Sequence, residues 1–343
     1  MPKNSSSQAN YSDIFQKQFL DLFSDLNISG GILITGAQGM LGNALACALK
    51  ELQSKKILNN SKIILCSRNW DLPAAKKWQN YSNVEVITND NLLNRYHSID
   101  FVIHTASPSN ITKITTLDDL LIPNLELLKN IFKLNPKKIL YISSGEVYGG
   151  NLNSRKQLST NFTYSSTRDW YPLVKLETER VLHHFGEMHN VQTMIVRLFH
   201  TFGPGLKAND GRSFADILWG AANNKQIILN SSGTQTRTFL YISDAVSGIL
   251  KTLFTAKNNQ TTLNLGSEIP LTIKEFAELV GRHTGASIHI KIDNNFKHSK
   301  NQYLIPNLDI IKNLNWEPRV DIDTGIAYTI KWIQNINLNI NII

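Results

Sequence analysis

From residue 32 onward, short runs of consecutive apolar residues alternate with longer stretches whose apolar positions recur every three or four residues. The runs at 32–35, 63–66, 84–88, 101–104, 139–142 and 194–198 are short and mainly apolar, as expected of strands in a parallel sheet covered on both faces. Between them, residues 117–132 and 173–189 are the clearest long helices, and Pro123 predicts that the first of these starts near it. This rhythm predicts a doubly wound α/β domain, a parallel sheet with helices on both faces. Past residue 202 the chain changes to glycine-rich turns, short strands at 227–229 and 262–265, and helices at 244–255 and 272–284. Ahead of the sheet, Ile14, Phe15, Phe19, Leu22, Phe23 and Leu26 fall on one helical face. That helix is expected to pack on the sheet edge or on a partner subunit, since Asp13, Asp21 and Asp25 make its polar face unsuited to a membrane surface. The expected organisation is an extension over 1–29, a sheet domain over 30–200, and over 201–343 a smaller substrate lobe partly interleaved with the sheet domain.

With 343 residues, 42% of them hydrophobic, the chain can bury a large core. Its net charge of +8 is scattered over lysines such as Lys55, Lys56, Lys76, Lys77, Lys137 and Lys138, without the basic tract or interleaved aromatics of a nucleic-acid groove. An anionic small molecule is the expected partner, and neither nucleic acid nor membrane is. Cys47 and Cys66 are the only cysteines, which suggests no disulfide framework and no zinc cluster, and both are expected to stay reduced. No metal is expected. No run approaches the ~20 apolar residues that cross a bilayer, so the cytoplasm is the default location.

Between the strand at 32–35 and the helix at 40–49 the chain reads Gly36-Ala-Gln38-Gly39-Met40-Leu41-Gly42. Glycine at these places permits a tight turn, close approach of backbone to a pyrophosphate, and close packing of helix on strand, with the helix N-terminus facing the phosphates. The second strand ends as Ser67-Arg68-Asn69, where an acidic residue would bind the adenosine ribose of NAD. Ser67 and Arg68 could instead meet a 2′-phosphate, so NADP stays open beside NAD. Asp90, after the third strand, is placed to accept from an adenine amino group.

Tyr171 and Lys175 are four apart and share a helical face, where an ammonium would lower the phenol pKa toward that of a usable base. Pro172 suits a first helical turn and places Tyr171 at the helix mouth. Ser143 and Ser144 end the strand at 139–142, at the edge where open α/β sheets bind ligands, and Ser144 could bond a reacting hydroxyl. Glu146, just beyond, is a candidate acid or base for a second step, or a substrate partner.

In this order the motifs resemble the extended short-chain dehydrogenase/reductase family, in its nucleotide-sugar epimerase, dehydratase and decarboxylase branch. The likeness runs over 31–332 and takes in the turn 36–42, His104-Thr105-Ala106-Ser107, Asn124, 144–149, Tyr171 with Lys175, 197–204, 233–237, 241–244, 264–266 and 314–318. The resemblance implies a Rossmann fold with NAD held by Gly36, Gln38, Gly39, Met40, Leu41, Gly42, Thr105, Ala106, Ser107, Tyr171 and Lys175. It further implies Ser144, Tyr171 and Lys175 as a catalytic trio, Arg237 on a nucleotide diphosphate, and a homodimer through two sheet-flanking helices.

In that family a sugar is oxidised at C4, and the 4-keto intermediate is then epimerised, dehydrated or decarboxylated, often in surface-polysaccharide synthesis. The 4,6-dehydratases have Asp-Glu where this chain has Gly145-Glu146, which disfavours dehydration. Glu146 and the stretch Asp210-Gly211-Arg212 are similar to the uronate decarboxylases. Against them, His200 replaces the usual asparagine, and Tyr303, Leu304 and Ile305 replace arginines before Pro306. His200 and Arg212 are candidate substrate contacts. A UDP-sugar epimerase or UDP-glucuronate decarboxylase-like enzyme is the expected function, with an NADPH-dependent ketoreductase and a non-catalytic dinucleotide-binding protein as alternatives.

Overall fold

All of the strands expected between residues 32 and 198 form in the computed structural model, which describes residues 17–107, 116–149, 167–291 and 303–340. They are β1 (Ile32–Thr35), β2 (Ile63–Ser67), β3 (Val84–Thr88), β4 (Phe101–His104), β5 (Lys138–Ser144) and β6 (Gln192–Leu198). A further strand, Gln260–Leu265, pairs with β6, giving the order Gln260–Leu265, β6, β5, β4, β1, β2, β3, with every pairing parallel. Parallel neighbours cannot be joined by a tight turn, so each connection crosses a face and covers it. Side chains divide between two cores accordingly: Ile32 and Ile34 of β1 enter one, Leu33 the other. Helices Met40–Ser54 and Ile242–Thr255 close the first core, and Asp118–Phe132 and Thr167–His189 close the second. Between β1 and β4 the strand order reverses, and a crevice opens at the carboxyl ends of the strands.

Asp118–Phe132 starts ahead of Pro123 rather than at it. The Thr116 hydroxyl accepts from the Asp119 N–H at 3.2 Å, and the Asp119 carboxylate accepts from the Thr116 N–H at 2.9 Å. This reciprocal cap fixes the start, and the exposed Pro123 then forfeits a single helical hydrogen bond.

Beyond β6, helices Ser213–Asn224, Ile273–Thr284 and Ile322–Ile340 pack together. With them are a parallel pair, Gln226–Leu229 and Ser287–Ile290, and a ribbon in the order Pro270–Thr272, Thr236–Thr238, Tyr303–Leu304. Thr272 and Glu275 cap Ile273–Thr284 reciprocally, and Gly285 in the left-handed region ends it.

Of the amphipathic segment at 12–26, Ile14 and Phe15 lie outside the described residues. Phe19 and Phe23, in and just after the helix Lys17–Asp21, are buried in the first core, and the Leu22 carbonyl accepts from Lys251 Nζ at 3.2 Å. The segment thus adds its phenylalanines to the first core, and that hydrogen bond ties it to Ile242–Thr255. Cys47 and Cys66 are free thiols, pushed up by burial to about 11 and about 12. Among the described residues no helix is long and apolar enough to cross a membrane, and no group of three or more His, Cys, Asp or Glu could hold a metal ion.

Candidate active site

After β1 the chain turns through Gly36, whose φ of 69° side chains rarely adopt. A β-carbon there would sit 2.8 Å from the Ala106 backbone, and one at Gly42 would overlap the Gly36 carbonyl. Gly39 has an ordinary φ of −69° and caps Met40–Ser54 without a side-chain bond. The Asn43 N–H bonds to the Gly39 carbonyl at 2.9 Å, so the amides of Met40, Leu41 and Gly42 before it have no helical acceptor. A diphosphate suits this turn, where a helix N-terminus offers amides without helical acceptors beside glycines that carry no side chain. Half-buried Gln38 lies in the same turn. Thr105, Ala106 and Ser107 follow β4 across the crevice, and the Thr105 hydroxyl donates to the Thr35 carbonyl at 2.6 Å, tying the two rims together. Ser67 ends β2, Arg68 is exposed beyond it, and Asp90 is exposed in the short turn Asn89–Asn91 after β3.

β5 ends at Ser144, whose hydroxyl accepts from the Glu146 N–H at 3.2 Å and is close enough to the Tyr171 phenol to lower its pKa. Tyr171 stands inside Thr167–His189 rather than at its mouth, because Pro172 sits early in an established helix instead of opening it. Lys175, one turn on, is 3% exposed. Its Nζ donates to the Ile142 carbonyl at 2.7 Å and lies 5.7 Å from the centroid of the Tyr171 ring. Burial raises the Tyr171 pKa, and the groups that pull it down are Arg212 and Ser144, not the lysine expected to do so. Burial also lowers Lys175, to about 7, against the pull of Glu179.

Two arginines add charge to the site, Arg212 acting on Tyr171 and Arg237 on His200. Arg212, at the start of Ser213–Asn224, bonds Asp210 through Nε to Oδ1 and through Nη2 to Oδ2, the second at 2.8 Å, with its guanidinium 4.7 Å over the Phe214 ring. Arg237, on the strand Thr236–Thr238, is buried and donates from Nη1 to the Thr236 carbonyl at 2.8 Å. Burial lowers its pKa, and Glu146 opposes that. His200 is packed edge-on against Phe214 and Phe239, with ring centroids at 5.7 and 6.0 Å, and its buried Nδ1 has no hydrogen-bond partner among the described residues. Burial, then Arg237 and Arg212, hold it well below the usual histidine range, so it is neutral. Ser144, Glu146, Tyr171, His200, Arg212 and Arg237 thus form one electrostatically connected site.

The departures noted in the sequence have physical counterparts. A β-carbon at Gly145 would meet the Phe199 ring at 2.9 Å, so a side chain there would have to displace that ring. Buried Leu304 pairs in register with Arg237, placing an apolar side chain where the resemblance calls for a cation.

Behind Ser144 runs a buried network that sequence reasoning missed. The Ser143 hydroxyl donates to Glu179 at 2.5 Å, and Glu179 accepts from Arg197 Nη2 at 2.6 Å. Arg197 Nη1 donates to the Tyr148 hydroxyl at 3.0 Å, and that hydroxyl donates to Asn264 Oδ1 at 2.7 Å. One signal was available: Glu179 follows Lys175 by four residues, on the same helical face.

A phenol beside a serine, at the rim of a crevice whose glycine turn suits two linked phosphates, is the layout of an extended short-chain dehydrogenase/reductase. Residues 32–266 match the NAD dependent epimerase/dehydratase family, and the chain belongs to that family. It is 27% identical over 303 residues to UDP-glucuronic acid decarboxylase 3 of Arabidopsis thaliana, covering 86% of each chain. Over 320 residues it is 24% identical to the dTDP-D-glucose 4,6-dehydratase of Homo sapiens, covering 88% of this chain and 89% of the other. The crystal structure of UDP-glucuronic acid 4-epimerase from Bacillus cereus, in complex with UDP-glucuronic acid and NAD, has the same fold, with a TM-score of 0.75 and 20% identity over 89% of this chain and 99% of that one.

Proposed function

We propose that this protein oxidises the sugar of a UDP-linked uronic acid at C4 and then decarboxylates it. The placement of Glu146 beside Ser144, with Arg212 close enough to act on the Tyr171 phenol, carries this reading. NAD, when bound, supplies the two-electron redox chemistry at C4. Tyr171 takes the proton of the C4 hydroxyl, and Ser144 orients that hydroxyl. Arg237 receives the nucleotide diphosphate, and Arg212, held by Asp210, meets the sugar carboxylate. A 4-keto group makes that carboxylate part of a β-keto acid, and Glu146 returns a proton to the carbon that carbon dioxide leaves. Dehydration is disfavoured further by the ring of Phe199, which a side chain at position 145 would have to displace.

UDP-sugar 4-epimerisation is the second reading, favoured by Leu304 beside Arg237, which leaves an anionic substrate one cation short. The segment 201–343 serves mainly as the substrate lobe in either case. Exposed Ile122 and Met188, on the two helices of the second face, support a homodimer through those helices. A cytoplasmic place in surface-polysaccharide synthesis follows from such a substrate. Incubation with UDP-glucuronate, UDP-glucose and their N-acetyl counterparts, read by mass spectrometry and NMR, tests the proposal. Loss of carbon dioxide from UDP-glucuronate is expected. An unchanged mass with inverted C4 establishes the second reading, and no turnover of any of these sugars rejects both.

A further inference from the structure

Lys175 is buried with few groups to hold its charge. On its own helix it has Tyr171, at 5.7 Å from Nζ to the ring centroid, and Glu179 one turn on, whose carboxylate is taken up by Ser143 and Arg197. From β5 it meets the Ile142 carbonyl at 2.7 Å and the face of the Tyr141 ring, with Nζ 4.7 Å from the centroid. From β4 comes His104, stacked on Tyr141 with centroids 5.2 Å apart and an interplanar angle of 29°. Burial, then Lys175, keeps that histidine neutral, at about 3. His104 is in turn fixed by a 2.7 Å hydrogen bond between its Nδ1 and the Thr35 hydroxyl, at the base of the glycine turn. The rings of His104 and Tyr141 therefore form a rigid ladder from the dinucleotide turn to the lysine. Its last rung is a π face, closer to the ammonium than the Tyr171 ring is.

We propose that Tyr141 is a positioning residue for Lys175: its ring face holds the ammonium in place beside Tyr171 and keeps it charged while the phenol acts as base. Attraction of a cation to a ring quadrupole is strongest where water is absent, as it is here. The consequence is chemical, since an amine that has shed its proton gives a phenolate no support. This rests on the catalytic reading of Tyr171 and Lys175, but its test needs no substrate.

The side-chain resonance of Lys175 can be followed through a pH titration of lysine-labelled protein by heteronuclear NMR, and assigned by its loss in Lys175→Arg. In Tyr141→Leu the titration midpoint should fall by about one pH unit, a tenfold change in ionisation constant. In Tyr141→Phe, which keeps the face and removes only the hydroxyl, it should stay where it is. A midpoint equal in Tyr141→Leu and the parent overturns the proposal, as does one that moves as far in the phenylalanine variant as in the leucine. Should Tyr141→Leu not fold, ring-fluorinated phenylalanines at 141 keep the shape while draining the face, and a midpoint that ignores the degree of fluorination likewise overturns it. Failure of the sugar panel with the NMR shift present would reject the substrate and leave the role of Tyr141 standing.

Discussion

Ser143 and Glu179 are joined by a 2.5 Å hydrogen bond that ties the end of β5 to the helix carrying Tyr171 and Lys175. The same carboxylate holds Arg197 through both of its oxygens, with both partners largely buried. Removing the acid strands a guanidinium away from water. Glu179→Ala should therefore lose roughly 3 kcal/mol or more of stability, measured by urea unfolding. A loss no larger than that of a surface substitution would show that the network adds nothing.

Tyr171→Phe removes the proposed base and leaves the glycine turn intact. Turnover should drop by ~10²-fold or more, with NAD affinity by calorimetry almost unchanged. Equal losses in turnover and cofactor binding would mean that the ring acts as a scaffold.

Glu146 separates the two chemical steps. In Glu146→Gln the 4-keto sugar nucleotide should accumulate while final product is lost, as read by NMR of the quenched reaction. Unchanged product formation would make the glutamate a bystander.

Asp244 accepts from the N–H groups of Arg319 and Val320 at 3.0 and 2.9 Å, both through Oδ2, and burial raises its pKa to about 6 from 3.8. Between those values the folded protein keeps a proton that the unfolded chain has released, so stability should decline as pH rises through that window. The decline is on the order of 2–3 kcal/mol. Asp244→Asn can accept the same two bonds without ionising, and its unfolding free energy should be flat over that range. An equal pH dependence in parent and variant would assign the effect elsewhere.

Much of this architecture is written in local pattern. β1 and β5 are apolar runs because they are covered twice, and Gly36 and Gly42 are small because a β-carbon would strike backbone. What escaped detection depends on tertiary distance. Tyr141 reads as one more strand hydrophobe, and only the fold places Lys175 over its face. Asp210 stood in a recognised stretch, but its grip on Arg212 needs the turn between them. Pro123 and Pro172 misled the helix boundaries, since a proline early in a helix forfeits little once a cap or a packed face has set the start.

Strand Gln260–Leu265 completes the sheet beside β6 and supplies Asn264 to Tyr148, 116 residues away. A nascent chain must therefore wait for this late piece while Met194, Ile195 and Val196 lie along a bare strand margin. Until the ribosome releases it, that margin invites pairing with other chains, and truncation ahead of residue 260 would leave the protein permanently sticky.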